Sequence, residues 1–116
     1  MGRLTTELTT QQDLANKVNS RKEFTHYLVD SPERYVVGLK NLFEGTNPSL
    51  EGSALRMAEI ALDSNADAFG GWLSEDGIYY VDLSTTTNNL YTALNQAKER
   101  GELAIWDSLE NRVINV

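Results

Sequence analysis

Ala68-Phe69-Gly70-Gly71-Trp72-Leu73, then Ser74-Glu75-Asp76-Gly77, then Ile78-Tyr79-Tyr80-Val81-Asp82-Leu83 is the stretch on which the fold turns. The second run is rich in aromatic and β-branched residues, which suit a pleated, half-buried surface. Asp76-Gly77 supplies the positive φ angles of a tight turn. The stretch therefore reads as a β-hairpin. Alternation divides its second strand into Tyr79, Val81 and Leu83 on one face and Ile78, Tyr80 and Asp82 on the other.

Toward the C-terminus the period becomes helical. Ser84 to Thr87 are capping residues, Leu90, Leu94 and Ala97 share a helical face, and Gly101 suits a C-terminal cap. Two short strands follow, Leu103 to Trp106 and Arg112 to Val116, around a turn at Ser108 to Asn111.

Toward the N-terminus the spacing predicts four short helices. The first covers residues 10–19, with Leu14 and Val18 one turn apart. Ser20-Arg21-Lys22-Glu23 has the form of a capping box opening a second helix that runs to about Leu28. Ser31-Pro32 starts a third, whose Tyr35, Leu39, Leu42 and Phe43 share a face and which Gly45 ends. Ser49 caps a fourth, carrying Ala54, Met57, Ala58, Ala61 and Leu62. The expectation is one α+β domain over residues 1–116, helical over 1–63 and ββαββ over 66–116, with a small, mainly antiparallel sheet.

The chain has 116 residues, no cysteine and a net charge of −7. Without cysteine there is no disulfide, thiolate metal site or thiol nucleophile, and a reducing cytoplasm suits such a chain. Residues 1–58 carry seven cations and seven anions, whereas residues 59–116 carry three cations against ten anions. The imbalance belongs to the C-terminal half, a field that repels nucleic acid and attracts basic protein surfaces. No run approaches the ~20 apolar residues of a membrane-spanning helix. The start, Met1 to Glu7, lacks the apolar core of a secretory signal, and Arg3 after Gly2 argues against myristoylation.

Motifs for catalysis are few. His26 stands alone, and no nucleophile elbow, phosphate loop, dinucleotide fingerprint or H-E-x-x-H helix is present. Asp82 and Asp107 each fall near a strand end; on neighbouring strands they would bind a divalent cation or act as an acid–base pair, and otherwise they serve as turn residues. No cofactor is expected. Either helices cover both faces of the sheet, or one face carries an aromatic patch of Trp72, Tyr80 and Trp106, residue types favoured as interface anchors. Glu75 and Asp76 at a hairpin tip, Glu99 and Glu102 around Gly101, and Asp107 and Glu110 at the last turn would, if gathered, form a docking surface. Scattered, they would serve solubility.

Gly71-Trp72, Tyr79-Tyr80-Val81-Asp82 with Ser84, Ala97 with Gly101, and Ala104-Ile105-Trp106-Asp107 resemble a pattern in small uncharacterised proteins of bacteriophages and other mobile elements. The resemblance covers about fifty residues and brings no catalytic residues. It implies a phage or plasmid product in a bacterial cytoplasm, an acidic inhibitor of a host nucleic-acid-processing or defence protein of the anti-CRISPR or anti-restriction type. The expected function is non-enzymatic protein binding. Its rivals are a small enzyme using Asp82 and Asp107, and an assembly module that forms a homodimer.

Overall fold

The computed structural model describes residues 2–48 and 53–116. The elements run α1 (Gly2–Asn19), β1 (Phe24–Tyr27), β2 (Tyr35–Gly45), α2 (Ser53–Asp63), β3 (Ala68–Leu73), β4 (Tyr79–Thr87), α3 (Leu90–Arg100), β5 (Ala104–Asp107) and β6 (Arg112–Asn115). The six strands form one sheet, ordered β1-β3-β4-β2-β5-β6, and every pair is antiparallel. The α+β class, the two C-terminal hairpins and the helix between them match the sequence reading.

Two of the four expected N-terminal helices are strands instead. Ser20 to Glu23 ends a helix rather than starting one. Arg21 takes a left-handed φ of 53°, its N–H donates to the Val18 carbonyl at 3.0 Å, and Lys22 N–H donates to the Lys17 carbonyl at 3.1 Å. This is the hydrogen-bond pattern of a helix C-cap. Phe24, Thr25 and Tyr27 then follow their strand preference in β1.

Over Tyr35–Gly45 the apparent helical period is produced by irregular strand pairing. The register shifts between Gly38 and Lys40 and again between Asn41 and Phe43. Each bulge adds one unpaired residue, Leu39 and then Leu42, and these two with Tyr35 and Phe43 give the apolar spacing of a helix. Ser49, expected to cap α2, lies outside the described residues.

All three helices lie on one face of the sheet. Across β4, Tyr79, Val81 and Leu83 point to that face; in β3 it holds Phe69, opposite Leu83, and Gly71, opposite Val81. Leu14, Ala15 and Val18 of α1, with Ala54, Met57, Ala58 and Ala61 of α2, cover these residues. The same face continues through Tyr35 and Val37, opposite Thr87 and Thr85, to Ile105, and there Ala93 and Ala97 of α3 cover it. Buried alanines let the helix backbones approach closely. Gly71 serves a similar end, because a β-carbon there would stand 2.1 Å from the Tyr79 hydroxyl. That hydroxyl crosses Gly71 and donates to the Lys22 carbonyl at 2.7 Å, tying the α1–β1 turn to the sheet.

Asn89 caps α3 by accepting from Thr92 N–H at 3.0 Å, and Gly101, at φ 73°, ends it. Glu102 N–H donates to the Ala97 carbonyl at 2.8 Å, which fixes where the Glu102 side chain leaves the helix.

Candidate functional site

With the helices on one side, the opposite face of the sheet lies open. Alternation puts Tyr80, Asp82 and Ser84 of β4 on it, opposite Trp72, Gly70 and Ala68 of β3. Val36 of β2, Trp106 of β5 and Val113 of β6 share the face on the other side of β4. Trp72 and Tyr80 stack with ring centroids 4.8 Å apart and planes 15° from parallel. Trp106 stands across from this pair. The residues between them are mostly small, so the face sinks into two adjoining hollows of about 560 Å3 and 740 Å3 that share Val36, Trp72, Asp82, Ser84, Trp106 and Val113. Aromatic walls around a floor with few polar groups are the usual build of a binding concavity.

The charge of these hollows has one sign. Asp82 is in the floor, Glu44 lies opposite Tyr80 at one rim, and Glu102 crosses Gly38 so closely that a β-carbon there would meet its carboxylate at 2.6 Å. Glu23 lines the far side. Among the described residues, no lysine, arginine or histidine lines either hollow. Asn41 donates to one Asp82 oxygen at 2.8 Å. Burial pushes the Asp82 carboxyl above its ordinary pKa; the Asn41 hydrogen bond opposes that, while Glu102 and Glu44 add to it. A cation entering the hollow would offset both the cost of burial and the repulsion.

The sequence candidates separate in space. Trp72, Tyr80 and Trp106 come together on the open face, and Glu102 joins them at its rim. Glu75 and Asp76 sit at the β3–β4 tip, where the Ser74 hydroxyl holds Asp76 and keeps its carboxyl below the usual range. Glu99 lies on α3 and Glu110 in the β5–β6 turn. The tip adjoins Tyr79, and the turn adjoins the Tyr35–Thr87 end of the ladder. Those ends of β4 are roughly 26 Å apart at ~3.3 Å per residue, so the six acids do not form one surface.

Asp107, expected in the acidic docking surface, is buried instead. It points to the helix-covered face and is 0 % exposed. Arg34 donates to it through Nε and Nη2, both at 2.8 Å, and Leu109 and Glu110 N–H groups donate at 3.1 and 3.2 Å. Its hydrogen bonds to Arg34 hold the carboxyl well below the usual range. A buried, fully engaged carboxylate offers nothing to a docking partner. Asp82 and Asp107 also lie on opposite faces of the sheet, so they cannot share a cation or a proton, and the described residues contain no group of three or more potential metal ligands. His26 is half-buried in β1 opposite Phe69, and burial, with Lys17 nearby, lowers its pKa.

Asn41, Glu44 and Val36 carry no site signal in the sequence, because the spacing over Tyr35–Gly45 reads as a helix with Val36 close to its apolar face. Gly38 and Gly70 gave no signal, since their role is to leave space. The adjacent Val36-Val37 pair after Tyr35 was the available hint of a strand.

No protein family, curated protein or solved structure matches this chain. Among the described residues, no helix is long and apolar enough to cross a membrane.

Proposed function

We propose that the chain is a non-enzymatic protein-binding module whose open sheet face docks a basic segment of another protein. The observation that carries this reading is a concave, aromatic-walled face whose lining charges are all acidic, Asp82, Glu44, Glu102 and Glu23. Apolar walls provide the burial that holds a partner, and the carboxylates select its sign and speed its approach. Because the concavity belongs to this chain, the fitting partner presents a protruding basic strand or loop rather than a groove. We place that partner among nucleic-acid-processing or defence proteins of a bacterial host, whose basic surfaces would be drawn from nucleic acid to this face, the mode of an anti-CRISPR or anti-restriction inhibitor.

Titration calorimetry of the full chain with a short arginine- and lysine-rich peptide, and with a glutamate-rich peptide of equal length, tests the reading. The basic peptide binds, and Glu44→Lys with Glu102→Lys weakens it and flattens its salt dependence. Equal binding by the charge-reversed protein would rule the mechanism out.

A further inference from the structure

One corner of the open face has a more specific geometry. Trp72 gives one ring face to Tyr80 and remains 48 % exposed. In the β3–β4 ladder Trp72 faces Tyr80 and Gly70 faces Asp82, so Trp72 and Asp82 are diagonal neighbours. Such positions lie ~7–8 Å apart, within reach of long side chains. Gly70 places no side chain between them. Asn41 occupies one oxygen of Asp82, and the other takes no hydrogen bond from the described residues although Asp82 lines both hollows.

We infer that this corner is the pocket for one arginine side chain of the docking partner, its guanidinium lying on the Trp72 indole and donating to the free oxygen of Asp82. The inference rests on the docking reading above and names the residue that reading requires. Arginine fits better than lysine for a physical reason. A guanidinium is flat, weakly hydrated and edged with donors, so it can stack on a ring while hydrogen-bonding a carboxylate that lies in the guanidinium's own plane. An ammonium is compact and strongly hydrated, and it meets a ring or a carboxylate as a point charge. Glu44, on the far side of Tyr80 from Trp72, adds to the negative charge around the corner.

The test compares hexa-arginine and hexa-lysine peptides on the full chain, with binding followed through the indole N–H resonances of Trp72 and Trp106. Hexa-arginine binds roughly tenfold tighter, a factor equivalent to 1.4 kcal/mol, and the Trp72 resonance moves most. Trp72→Ala and Asp82→Asn each bring hexa-arginine down to the hexa-lysine level. Asp82→Asn keeps an oxygen for Asn41, and Trp72→Leu replaces Trp72→Ala should the latter lose its dispersed amide spectrum. Equal affinity for the two peptides, with the indoles still moving, overturns the arginine pocket and leaves docking standing. A preference for arginine that survives both substitutions also overturns it. Binding of neither peptide overturns the docking reading and the pocket together.

Discussion

The side-chain amide of Asn41 holds one oxygen of Asp82 at 2.8 Å across the β2–β4 ladder and leaves the other oxygen to the hollow. This contact orients the floor carboxylate without neutralising it. Burial, and the like charge of Glu102 and Glu44, disfavour the Asp82 anion. Binding sites commonly keep such groups at the expense of stability.

Asp82→Asn should therefore stabilise the protein at neutral pH. The folded-state pKa of Asp82 is raised, so the native state binds the proton more tightly than the unfolded chain, and wild-type stability falls as pH rises from the unfolded value of about 3.9 through the folded one. Asparagine keeps the hydrogen bond and removes that loss. Thermal unfolding should give a higher midpoint for the variant at pH 7 and equal midpoints below about pH 4. A lower midpoint at pH 7 would contradict the raised pKa.

Asp107 titrates in the opposite sense. Its folded-state pKa is depressed by Arg34, so its contribution is present at neutral pH and is lost as pH falls below the unfolded value of about 3.9 toward the folded one. Asp107→Asn should destabilise the fold at pH 7 and reduce the slope of the acid-unfolding curve. Circular dichroism across an acid titration measures both, and an unchanged slope would show that Arg34 does not control this carboxyl.

Gly71→Ala should cost about 1–3 kcal/mol, the usual penalty for overpacking a core, because the new β-carbon would displace the Tyr79 hydroxyl and crowd the Phe24 ring. Tyr79→Phe should cost about 1 kcal/mol through the lost hydrogen bond to Lys22. Urea denaturation reports both values. Near-equal stability of Gly71→Ala and the wild type would mean that Tyr79 has room to move.

Trp72→Ala should weaken arginine-peptide binding about tenfold, or ~1.4 kcal/mol, while changing stability little, since the residue is 48 % exposed. Calorimetric titration and thermal unfolding separate the two effects. A loss of stability as large as the loss of binding would assign the ring to the core.

Much of this layout was legible locally. Asp76-Gly77 and the alternation of Tyr79, Val81 and Leu83 announced the first hairpin, and Gly77 takes the positive φ of 86° that the turn demands. Gly101 ended α3 as expected. Alternation left the grouping of Trp72, Tyr80 and Trp106 as one of two outcomes, and the placement of all three helices on one face decides it. Ser84 to Thr87, expected as capping residues, instead extend β4, and Asn89 caps α3. What failed depended on distant contacts. Ser20 to Glu23 has the composition of a helix start, and only the completed α1 and the tie from Tyr79 to Lys22 make it a helix end. Tyr35–Gly45 hides its strand period behind two bulges, and its neighbours, β4 and β5, lie far along the chain. Without β2 between those strands, Asp82 and Asp107 could be imagined side by side. With it they are separated, and Asn41, Glu44 and Gly38 enter the site.

The most direct measurement is a backbone and indole resonance map of the full chain titrated with the arginine- and lysine-rich peptide. Docking on the open face predicts shifts at Val36, Gly70, Trp72, Asp82, Ser84 and Trp106, with the outer surfaces of α2 and α3 unmoved. Shifts confined to the helices or to the Glu75–Asp76 tip would contradict it.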